Sequence, residues 1–65
     1  MNLIEIKAAL AQGQLVFWGN SSYEVKKDSL DQFLIVHRNS TIRLFGSSGK
    51  LNGKEEDFYP VTLLH

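Results

Sequence analysis

The 65-residue sequence is 43% hydrophobic and 22% charged, with seven basic and seven acidic side chains, one proline and no cysteine. A chain this short holds one small domain, residues 1–65, and its apolar share sets it apart from disordered segments, which combine low hydrophobicity with high net charge. Zero net charge argues against a dedicated duplex-DNA binder, and the lack of cysteine excludes disulfides, thiolate chemistry and Cys-ligated zinc.

No run reaches the roughly 18–20 apolar residues of a membrane span, and no basic region precedes an apolar core at the N-terminus. A secreted chain of this size usually carries bridges, so a reducing cytoplasm is the expected compartment. Small domains bury only about 60% of their unfolded surface. Without a bridge or a metal site, association with a second copy or a partner would stabilise this one.

Residues 2–12 read as a helix. Asn2 suits the N-cap, and Glu5 follows three residues later as the partner of a capping box. Leu3, Ile6 and Leu10 form an apolar stripe, widened by Ile4 and Ala9, and Gly13 suits the left-handed stop. From Gln14 the pattern changes to that of strands. Leu15–Trp18 is a short apolar run closed by Gly19-Asn20-Ser21, and Ser22–Lys27 alternates, with Tyr23, Val25 and Lys27 on one face and Glu24 and Lys26 on the other. Asp28–Asp31 reads as a turn, Phe33–Arg38 as the strongest strand, and Asn39-Ser40 as a tight connection to Thr41–Phe45. Gly46-Ser47-Ser48-Gly49 is a loop and Asn52-Gly53 a turn. The acidic Glu55-Glu56-Asp57 leads into Phe58–Val61, where Pro60 marks a sheet edge.

These elements predict an α+β fold, one N-terminal helix packed on a four- to five-stranded antiparallel meander, with a small SH3-like, partly open barrel as the alternative closure. An Asn39-Ser40 turn would set Val36 opposite Arg43 and Leu34 opposite Phe45 on one face of the hairpin, and Ile35 opposite Leu44 and His37 opposite Ile42 on the other. The connection before Phe33 leaves open whether Val25 lies beside Leu34 or Ile35. Both hairpin faces are apolar, and a single helix covers only one. The second needs the C-terminal segment around Phe58, Tyr59, Leu63 and Leu64, barrel closure, or another chain.

The residues offer little chemistry. His37 and His65 form no metal-ligand spacing, His37 reading as a partly buried, hydrogen-bonded strand residue and His65 as solvated. Neighbouring carboxylates at 55–57 point in different directions and read as a solvated turn. Ser21, Ser22, Ser29, Ser40, Ser47 and Ser48 fall in expected turns, and no nucleophile elbow or phosphate loop occurs. No catalytic, cofactor or metal residue is expected, and no small-molecule ligand.

Binding is the better-supported class. The candidate protein-binding surface is the outward face of the central hairpin, Leu34, Val36, Arg43 and Phe45, with Trp18 and the acidic Glu55 and Glu56. Aromatic residues and arginine are the usual anchors of interfaces. The partner is another protein or a second copy. The alternative is single-stranded nucleic acid, bound by stacking on Trp18 and Tyr23 beside Lys26, Lys27, Arg38 and Arg43, with Phe45 and Tyr59 as further stacking candidates.

The opening Asn2-Leu3-Ile4-Glu5-Ile6-Lys7, the pair Phe17-Trp18, the segment Tyr23-Glu24-Val25 and the closing Leu51-Asn52-Gly53-Lys54-Glu55-Glu56-Asp57-Phe58-Tyr59 resemble short uncharacterised proteins of bacteriophages and prophages. The likeness spans nearly the whole chain and is most specific at its closing segment. It implies a bacterial or viral cytoplasmic origin and carries over no functional residue.

Overall fold

The computed structural model describes residues 1–46 and 49–62. Helix α1 spans Leu3–Ala11 and starts on the expected box: Asn2 Oδ1 accepts from the Glu5 amide at 2.8 Å, and Glu5 Oε1 accepts from the Asn2 amide at 2.9 Å. Gln12 caps the far end, and Gly13 follows with φ +81°, a value glycine adopts without Cβ strain. Ile6 and Ala9 are buried, with Leu3 and Leu10 packed beside them. Ile4, expected on the apolar stripe, is 78% exposed.

Five antiparallel strands follow: β1 (Leu15–Trp18), β2 (Asn20–Lys27), β3 (Phe33–His37), β4 (Ser40–Arg43) and, after a 3-10 turn at Glu55–Asp57, β5 (Phe58–Val61). Their spatial order is β4-β3-β2-β1-β5. The first four strands form the expected meander, and β5 returns to pair with β1 along its whole length. The sheet ends on two separate edges, β4 and β5, and α1 packs on one of its faces, as the helix-on-sheet reading expects. Pro60 lies in an edge strand, as its missing N–H requires.

The β3–β4 connection differs from expectation. Arg38-Asn39 makes the turn, so His37 pairs with Ser40, Ile35 with Ile42 and Leu34 with Arg43, a slip of two residues from the expected register. A type I′ turn needs positive φ at both central residues, and a type II′ turn at the first. Among the described residues Asp31 is the only non-glycine with positive φ, so neither Arg38 nor Asn39 takes that form. The slip sets two β-branched isoleucines opposite each other. A shift of two preserves the side-chain alternation, so the residues within β3 and β4 keep their expected faces.

At the β2–β3 connection, Val25 lies opposite Ile35. Asp28 Oδ1 accepts from the amides of Leu30 and Gln32, and Asp31 takes φ +61° with its carboxylate 3.1 Å from Lys27 Nζ. Gly19 alone, at φ +75°, joins β1 to β2. The strand therefore begins at Asn20, and Ser21 and Ser22 lie in β2 rather than in a turn. Val16, Val25, Ile35, Leu44 and Phe58 point towards α1 and form the core with Ile6 and Ala9. No described helix is long and apolar enough to cross a membrane.

Candidate functional site

The sheet face turned away from α1 carries the most unusual surface. Strand pairing aligns Thr41, Val36, Glu24, Phe17 and Tyr59 in one row across all five strands. Two residues along each strand, pairing aligns Arg43 with Leu34 and Lys26, and Leu15 with Val61, and the Phe17–Glu24 register carried on by two residues sets Leu15 beside Lys26 in the same row. Side chains on alternate residues share a face, so these rows form one surface. The Phe17 and Tyr59 rings confirm it, lying 5.8 Å apart and tilted at 48°. None of the ten positions is buried, and Tyr59 and Val61 are 36% and 38% exposed. Six of the ten are large and apolar. The charged members are Glu24 and Lys26 on the central strand and Arg43 on the β4 edge.

Of the surface expected from sequence, Leu34, Val36 and Arg43 stand here together. Phe45 does not. It follows the end of β4, bridges to Leu51 and packs against the core, where Lys7 Nζ lies 5.3 Å from its ring centroid and equally far from that of Phe33. Trp18 is on the opposite face, because alternation from buried Val16 turns it towards α1. Its ring stacks on Phe58 at 6.2 Å and meets Tyr23 edge-on at 5.4 Å, while Tyr23 stacks on His37 at 4.5 Å. Stacking holds half-buried His37, and no side-chain hydrogen bond of the expected kind is made among the described residues.

Glu55 and Glu56 are exposed in the 3-10 turn before β5. There the Glu55 carbonyl accepts from the Met1 ammonium, beside the start of α1 and away from the outward face. Leu63 and Leu64, expected to help cover the second hairpin face, and His65 lie outside the described residues. So do Ser47 and Ser48.

The alternative nucleic-acid set is spread out. Trp18 and Tyr23 face α1 at one end of the sheet. Lys27, at the far end of β2, pairs with Asp31, and Arg38 sits in the β3–β4 turn. Only Lys26 and Arg43 share a row, on the face opposite the two aromatic rings.

The sequence reading missed Leu15, Phe17, Glu24, Lys26, Thr41, Tyr59 and Val61 as members of the protein-binding surface. Alternation gives the side of each strand, but their union depends on β5 lying beside β1, a pairing between distant parts of the chain. No cluster of three metal-ligating side chains occurs among the described residues. A groove of about 250 Å³ at the Phe33–Phe45 end is lined by Asp31, Leu34 and Arg43 as well, and is open to solvent. Comparison with protein-family models, curated proteins and solved structures finds no match.

Proposed function

We propose that the protein is a small non-catalytic binding module that acts through protein–protein contact, with the outward sheet face as its contact surface. One observation carries this reading: a row-and-column array in which six of ten side chains are large and apolar, on the side of the sheet away from the only α-helix among the described residues. Monomeric proteins seldom expose contiguous apolar patches of this kind without a use for them. The mixture suits an interface, with aromatic Phe17 and Tyr59 and the Arg43 guanidinium among aliphatic neighbours. A bacterial or viral cytoplasm, as the phage resemblance implies, is part of the same proposal.

Photo-crosslinking tests it. A benzophenone amino acid at position 36, on β3 within the face, is expected to give covalent protein adducts on irradiation in cells. The same group at Leu30, which is 75% exposed in the β2–β3 turn, is expected to give few. Equal labelling at both positions, or none at position 36, would overturn the reading.

A further inference from the structure

The outward face is complementary to itself, and we infer that its occupant is a second copy of this chain, packed sheet on sheet about a two-fold axis. This rests on the reading of that face as a protein-binding surface and names the partner.

The argument is geometric. For aligned sheet packing, a two-fold axis that stacks one sheet on another lies in the plane between them, close to the strand direction or across it. An axis along β2 would set Glu24 on Glu24 and Lys26 on Lys26. An axis across the strands, midway between the two rows, places each residue of the first row over the neighbour two residues away on the same strand of the other copy. Glu24 then meets Lys26, Val36 meets Leu34, Phe17 meets Leu15, and Tyr59 meets Val61. Every apolar residue meets an apolar one, and symmetry makes the central Glu24–Lys26 contact twice.

Isologous contacts require this kind of self-complementarity. Twisted sheets that pack face to face stay within about 30° of alignment, so the two copies remain in register best at the centre, where the charges sit. The charge pair chiefly selects the orientation, since an interfacial ion pair roughly breaks even in affinity while like charges are penalised.

The face is about 24 Å wide and about 14 Å long by ordinary strand spacing. That is a small footprint, in the range of weak and transient contacts, and the dimer is expected to be one that dissociates on dilution. Isologous closure also ends the assembly at two copies, because each has one such face.

Sedimentation equilibrium from about 1 µM to about 1 mM, with circular dichroism to check folding, tests the inference. The wild type is expected to pass from monomer to dimer across this range. Glu24→Lys and Lys26→Glu are each expected to weaken the dimer by about tenfold or more, since each replaces two attractive contacts with repulsive ones. The double variant Glu24→Lys/Lys26→Glu restores both contacts and is expected within about threefold of the wild type. An equimolar mixture of the two single variants should associate more strongly than either alone.

A wild type that stays monomeric throughout, single variants as tight as the wild type, or a double variant as weak as the singles would overturn the inference. If position 36 still crosslinks to a different protein while the wild type is monomeric, the binding reading stands and the self-association fails.

Discussion

The two faces of the sheet are built from the same strands and differ in what they bury. Facing α1, Val16, Val25, Ile35, Leu44 and Phe58 are almost fully removed from water. On the other face, Leu15, Phe17, Leu34 and Val36 are only partly shielded by one another. Neighbouring residues on one strand therefore have unequal roles: Ile35 holds the domain together, and Val36 beside it is available for contact. The comparison teaches that apolar character alone does not identify a core. What decides it is whether another layer lies over the residue.

The sharpest way to break that contrast is to shorten neighbours of opposite face. Ile35→Ala is expected to destabilise the domain by about 3 kcal/mol, through lost burial and the cavity left behind. For Val36→Ala the expected cost is at most about 1 kcal/mol, mainly from reduced strand propensity. Urea denaturation at low protein concentration checks both, and equal losses would show that the two faces are buried alike.

Gly53→Ala attacks the margin of the buried face. A Cβ there would sit 2.6 Å from Trp18 Nε1, an atom that is already buried without a hydrogen-bond partner. Moving that rigid ring or the turn is expected to cost about 2 kcal/mol, visible as a lower thermal midpoint and altered tryptophan fluorescence.

Asn2→Ala loosens the helical layer itself. It removes one half of the capping box and is expected to cost about 1 kcal/mol, with faster hydrogen exchange in the first turn of α1. The smallest expected effect is Asp31→Gly in the β2–β3 turn, away from the buried face. Relief of the positive φ should outweigh the loss of an exposed ion pair, for a gain of about 0.5 kcal/mol, seen as a higher urea midpoint.

Much of the fold was legible where local chemistry decides it. Asn2, Glu5 and Gly13 mark the limits of α1, and alternation sorts Tyr23, Val25 and Lys27 from Glu24 and Lys26. The Arg38-Asn39 turn was not legible, because neither it nor Asn39-Ser40 carries the glycine that would fix a tight hairpin. The slip of two left Leu34, Val36 and Arg43 on their expected face. Phe45 lost its place there because β4 ends at Arg43, where Asn52 takes up the Arg43 and Leu44 carbonyls. Trp18 was misplaced although Val16, two residues earlier, already shared its side. Phe17 and Tyr59 were the hardest to find, since only a pairing between distant segments joins them.

That same pairing sets a timetable for the nascent chain. Strand β5 begins about forty positions after β1 ends, an interval of roughly 2–8 s at ordinary rates of translation. During it, Val16, Phe17 and Trp18 wait on the ribosome with one edge unsatisfied, the kind of bare β edge on which aggregation starts. The meander β1–β4 can form as it emerges, but its completion waits for β5. Chaperone demand should therefore fall on the first strand made.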